Sequence, residues 1–84
     1  PRVYYNLGLI YQYLNNKLKA EALLLKANSI SPDQFDIIYA LSDFYIKSGN
    51  YTKAIKYAEE LKIKFPSNPA AEELVKYLNT LSNR

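Results

Sequence analysis

The chain has no cysteine, histidine, methionine or tryptophan, and only two of its 84 residues are glycine. Each absence closes a class of chemistry. Without cysteine there is no disulfide, thiolate nucleophile or zinc thiolate, and the lack says nothing of the redox compartment. Without histidine there is no imidazole to act as base or metal ligand near neutral pH. The two residue types supply most nucleophile–base pairs and nitrogen or sulfur zinc sites, so both are lost together. Gly8 and Gly49 stand alone, and an isolated glycine cannot build a phosphate-cradling loop. Two acidic pairs occur, Glu59-Glu60 and Glu72-Glu73. Helical neighbours diverge by about 100°, so neither pair converges on a metal ion or a glycosidic bond. These readings give a non-catalytic chain that needs no cofactor. No secretory apolar segment and no apolar run of about 18 residues is present, so direct membrane insertion is not expected. The net charge of +3 is too small to argue for nucleic acid by itself. The first residue is proline, not methionine, and the sequence reads as a piece of a longer protein.

What the chain does have is a period. Between Tyr4 and Pro32, apolar and small residues stand at Tyr4, Leu7, Gly8, Tyr11, Ala20, Leu24 and Ala27. Shifted by 34 residues, the same classes return at Ile38, Leu41, Ser42, Tyr45, Ala54, Ala58 and Leu61, with Pro66 in place of Pro32. Seven aligned pairs are identical: Tyr5/Tyr39, Leu7/Leu41, Tyr11/Tyr45, Asn16/Asn50, Lys19/Lys53, Ala20/Ala54 and Pro32/Pro66. They fall at core and punctuating positions, which is where a repeated structural unit is constrained.

Apolar spacing of three and four residues predicts a helix from about Arg2 to Leu14, with Pro1 in its first turn, and Asn15-Asn16 as a turn. A second helix is expected over about 18–28, ended by Ser31-Pro32-Asp33, and a third over about 34–47, closed by Ser48-Gly49-Asn50 with Gly49 left-handed. The fourth, from Thr52 as N-cap to Lys64, carries Ala54, Ile55, Ala58 and Leu61 inward and turns most of its lysines outward. A fifth runs from Pro69 to about Leu81, before Ser82-Asn83-Arg84 ends the chain. Gly8 and Ser42 are the small positions where paired helices approach, opposite Ala20, Leu24, Ala54 and Ala58. Leu7, Tyr11, Leu41 and Tyr45 are expected to fill the core around them.

This pattern resembles the tetratricopeptide repeat, a helix–turn–helix unit of 34 residues that stacks into a right-handed solenoid. The resemblance covers the whole chain and implies an all-α fold in one domain. Unit one would be residues 1–34, unit two 35–68, and 69–84 a capping helix. Lys76, where the units carry Gly8 and Ser42, suits the polar outer side of such a cap.

By the same resemblance, the first helix of each unit lines a concave groove that holds partner peptides. The implied lining is Arg2, Tyr5, Leu9, Gln12 and Tyr13, then Asp36, Tyr39, Asp43, Ile46 and Lys47, then Ala70, Glu73, Tyr77 and Thr80 from the cap. Family members that grip a chaperone's C-terminal carboxylate use cations and asparagines at five places. Here those places hold Tyr5, Leu9, Ala40, Ala70 and Leu74, so no such clamp is expected. Lysines concentrate on second helices and tyrosines on first helices, which argues against a nucleic-acid surface. The reading is a protein–protein interaction scaffold with a tyrosine-rich groove. A structural or self-associating accessory segment of a larger enzyme or membrane assembly is the alternative, with RNA binding a distant third. The wide apolar arc of the second helix, with Leu23 and Leu25, points to a homodimer through unit one.

Overall fold

The computed structural model describes residues 2–82; the expected helical start at Pro1 and the chain end at Asn83 and Arg84 lie outside the described residues. Five helices make up the fold: α1 (Val3–Tyr13), α2 (Lys17–Ile30), α3 (Phe35–Lys47), α4 (Tyr51–Lys64) and α5 (Pro69–Ser82). No strand occurs among the described residues. Helices pack chiefly on their sequence neighbours, α1 on α2, α2 on α3, α3 on α4 and α4 on α5. The result is a helical-hairpin solenoid, thin in one direction at 31 × 28 × 15 Å.

The 34-residue period is written into the backbone as well as the side chains. Among the described residues, Asn15 and Gly49, one period apart, are those with positive φ, at 62° and 78°. In the first hairpin Asn16 N–H reaches back to Tyr11 O and Asn15 N–H to Gln12 O; in the second, Asn50 N–H bonds Tyr45 O and Gly49 N–H bonds Ile46 O. This six-to-one and five-to-two pairing satisfies the last carbonyls of α1 and α3, and it requires a left-handed residue at its turn. Asn16 and Asn50 then cap the next helix, their side chains accepting from the backbone N–H of Lys19 and Lys53. The N-cap of α4 is therefore Asn50, not Thr52 as expected. The closed turn at Gly49 places the cap at the next residue, two before Thr52.

Between the helices of each hairpin, the small positions do what the pattern implies. A Cβ added to Gly8 would lie 2.9 Å from the Leu24 side chain, so glycine is what lets α1 meet α2 there. One period later the larger Ser42 stands with Ala58 in the place of Leu24, a volume exchange that keeps the spacing. Ser42 is more than a small filler. Its buried hydroxyl donates to Ala54 O at 2.8 Å, a bond from α3 into α4.

The core centres on α3, where Ile38, Leu41, Phe44 and Tyr45 cluster with buried Leu24, Leu61 and Leu78 from other helices. Unit one departs from expectation. Leu41 and Tyr45 are buried, but Leu7 is exposed and Tyr11 only half-buried. The cause is position in the stack: α3 packs on both α2 and α4, whereas among the described residues α1 packs chiefly on α2. The lysines of α4 also divide. Lys56 and Lys62 are exposed, but Lys64 pairs with Glu60 and Asp33, each at 3.1 Å, and donates to Pro32 O, pinning the α2–α3 turn to the end of α4.

Candidate partner-binding groove

Helices α1 and α3, the first helices of the two hairpins, and α5 border two adjoining hollows. Successive turns of α3 bring Phe35, Tyr39 and Asp43 to one stripe, because residues four apart share a helical face. With Asp36 and Ala40 from α3, Tyr5 and Leu9 from α1 and Ala70 from α5, they line a cavity of about 420 Å³. The second cavity, about 450 Å³, lies between α3 and α5 and is lined by Tyr39, Asp43, Ile46, Lys47, Ala70, Glu73, Leu74 and Tyr77. Tyr39, Asp43 and Ala70 belong to both, so the two hollows form one continuous groove. Phe35 stacks on the Tyr39 ring at 5.9 Å between centroids and meets Phe65 edge-on at 5.3 Å, which fixes Tyr39 at the centre.

The charges in the groove are mostly answered. Arg2 pairs with Asp36 and lays its guanidinium 4.7 Å from the centroid of the Tyr5 ring, closing one end. Asp43 pairs with Lys47 at 3.0 Å, one helical turn on. Glu73 makes no ion pair among the described residues, while its neighbour Glu72 is taken by Lys76 at 3.6 Å. Of the three carboxylates Asp36, Asp43 and Glu73, the unpaired acidic charge is therefore at Glu73.

Ten of the residues implied by the sequence, Tyr5, Leu9, Asp36, Tyr39, Asp43, Ile46, Lys47, Ala70, Glu73 and Tyr77, line the two hollows, and Arg2 sits on the rim through Asp36. Gln12 and Tyr13 stand apart. Gln12 borders a separate cavity of about 200 Å³ with Asn15, Lys17, Phe44, Lys47 and Ser48, and its amide nitrogen is buried without a partner among the described residues. Tyr13, the last residue of α1, lies past the stretch from Tyr5 to Leu9 that borders the groove, and is 89% exposed. Thr80 likewise lines neither hollow; its hydroxyl bonds Lys76 O on its own helix. Phe35 was missed, although its four-residue spacing from Tyr39 was a usable signal.

Lysines and tyrosines, separate along the chain, meet in space. Lys19 lies 5.1 Å from the Tyr11 ring, Lys26 5.5 Å from Tyr4 and Lys53 5.3 Å from Tyr45, each across a hairpin. These ring faces carry a lysine and are not open to a stacking base. Among the described residues no group of His, Cys, Asp and Glu side chains is placed to hold a metal ion, and no helix is long and apolar enough to cross a membrane.

The arrangement defines a class: a helical-repeat protein whose successive hairpins present one lined face. Comparison with known families gives the same answer. One model of the tetratricopeptide repeat matches residues 18–76 and a second matches residues 1–34. The chain belongs to the tetratricopeptide repeat family. Such repeats generally mediate protein–protein interaction and are in general non-catalytic. No curated protein matches the sequence.

Proposed function

We propose that the chain, as two repeat units and a capping helix, is a non-catalytic scaffold that binds a partner peptide or helix in the groove of Tyr5, Leu9, Tyr39, Asp43, Ile46 and Tyr77. The observation that carries this reading is the meeting of two hollows at Tyr39, Asp43 and Ala70. Apolar and aromatic walls with a few polar tips suit peptide binding, and tyrosine supplies contact area at low entropic cost. A fitting partner has an apolar or aromatic anchor for the Tyr5–Leu9–Tyr39 hollow and a lysine or arginine for Glu73.

The chaperone-tail reading is set aside because Tyr5, Leu9, Ala40, Ala70 and Leu74 line these hollows and offer no cation to a carboxylate. RNA binding is set aside because cross-hairpin lysines lie over Tyr4, Tyr11 and Tyr45. The test is selection from a displayed random-peptide library on the immobilised chain. Selected peptides should share a hydrophobic anchor and a basic residue, and Tyr39→Ala should weaken them by about thirtyfold. Peptides that ignore Tyr39→Ala but are lost with Lys56→Ala would move the site to the opposite face.

A further inference from the structure

The face of α1 turned away from α2 is apolar and bare. Val3 is 60% exposed, Leu7 37% and Ile10 51%, whereas their equivalents one period on, Ile37, Leu41 and Phe44, are exposed by 4%, 0% and 4%. Of the two helices packed on α3, α4 has its counterpart in α2 beside α1, but α2 has none among the described residues. The chain thus contains a worked copy of this surface with its cover in place, and the copy shows what the cover must carry.

The junction of α2 with α3 is held by three side chains. The Tyr45 hydroxyl donates to Glu21 at 2.6 Å, Lys53 approaches the same carboxylate at 3.9 Å, and its ammonium lies over the Tyr45 ring. Unit one repeats two of the three. Lys19 lies over the Tyr11 ring as Lys53 lies over Tyr45. The carboxylate is missing: among the described residues the Tyr11 hydroxyl makes no hydrogen bond and Lys19 no ion pair. Lys26, over Tyr4, adds a second cation to this hairpin.

We propose that the bare face of α1 docks a partner helix from outside these 84 residues, one that repeats the chemistry of α2. It presents an alanine and leucine stripe to Val3, Leu7 and Ile10, and a glutamate to Tyr11 and Lys19. A second copy of the chain does not meet this requirement. In each copy Glu21 is already engaged by Tyr45, and α4 carries Ile55 in the place of Glu21 while packing on α5. The dimer suggested by the sequence would leave the Tyr11–Lys19 pair without its acid.

The probe is a labelled peptide with the sequence of residues 16–31, bridged on its solvent side to hold it helical, since short helices are marginal in water. It is titrated into the full 84-residue chain by fluorescence anisotropy. Binding is expected, and Glu21→Gln in the peptide should weaken it by about tenfold. Tyr11→Phe in the protein should weaken the unaltered peptide similarly but leave the Gln peptide unchanged, because the two changes remove one interaction. Ile10→Asp, a change at an exposed position, should abolish binding without loss of helicity. The proposal is overturned by a peptide that does not bind, by Glu21→Gln having no effect, or by binding that survives Ile10→Asp. It is also overturned if the unmixed chain sediments as a dimer that Ile10→Asp dissociates.

Discussion

The Tyr45 hydroxyl donates to the Glu21 carboxylate at 2.6 Å, and this bond ties the second hairpin to the first. Tyr45 also stacks on Tyr57 at 5.9 Å, so one side chain joins α2, α3 and α4. Tyr45→Phe keeps the ring and removes the donor. A bond to a charged acceptor contributes about 1.5–3 kcal/mol, and the partly exposed Glu21 regains water, so the loss should sit at the low end. Urea melts of Tyr45→Phe, Glu21→Gln and the pair should show a double variant less destabilised than the sum. Full additivity would mean the two side chains do not act together.

Alkaline pH should strain the same junction. Burial first, and then the Glu21 hydrogen bond, hold the Tyr45 phenol well above its ordinary 10.0; Tyr57 is raised by burial and by Glu60. A raised folded value means the native chain keeps protons that the unfolded chain releases. Stability is therefore complete below about pH 10 and falls as pH rises further. Lys64, raised by its bonds to Glu60 and Asp33, acts in the same direction, but it is exposed and adds little. Urea midpoints should be flat between about pH 8 and pH 9 and drop above about pH 10. Tyr45→Phe should flatten the drop.

The fold was legible because its punctuation is local. Pro32, Gly49 and Pro66 stop helices whatever surrounds them, and the recurrence of Leu7 as Leu41 and Ala20 as Ala54 exposes the period. What depended on neighbours in space was not legible. Leu7 and Leu41 are the same residue at the same repeat position, yet only Leu41 is covered on both sides. Asn50 rather than Thr52 caps α4 because the turn at Gly49 fixes where the next helix begins. The groove residues Tyr5, Tyr39 and Tyr77 follow from helical spacing, whereas the pairing of Arg2 with Asp36 between α1 and α3 needed three dimensions.

Gly8 and Lys76 occupy corresponding places in the repeat and should respond oppositely to the same change. Gly8→Leu drives a side chain into Leu24, which sits 2.9 Å from the position of a Cβ, and over-packing costs about 1–3 kcal/mol. Lys76 is exposed on α5 and among the described residues pairs with Glu72 alone, so Lys76→Leu should change stability by less than about 0.5 kcal/mol. Thermal melts giving equal losses at the two positions would contradict an outward-facing α5 surface.

Gly49→Ala isolates backbone strain from packing. Nothing lies within 4 Å of a Cβ built there, but φ is +78°. Any loss is then conformational, about 1 kcal/mol for a residue with a Cβ held left-handed. Asn15→Gly, at φ +62°, should move the other way by a few tenths of that. If Gly49→Ala is neutral in urea melts, the α3–α4 turn relaxes and does not fix the hairpin.

The groove's response to salt should trace to one carboxylate. Asp36 and Asp43 already have Arg2 and Lys47 beside them, so their charges are largely answered before a ligand arrives. Glu73 lines the hollow between α3 and α5 with no such partner among the described residues. For a selected peptide bearing one basic residue, Glu73→Gln should slow association and remove most of the salt dependence, as exposed charges steer encounter more than they hold a complex. Asp43→Asn should have the smaller effect on association, while freeing Lys47. Tyr39→Ala should act instead on the dissociation rate, with a loss of about 2 kcal/mol, because it removes the central contact area. Stopped-flow binding at two ionic strengths separates the three variants. A larger salt effect from Asp43→Asn than from Glu73→Gln would place the ligand's cation over α3 and reverse the assignment.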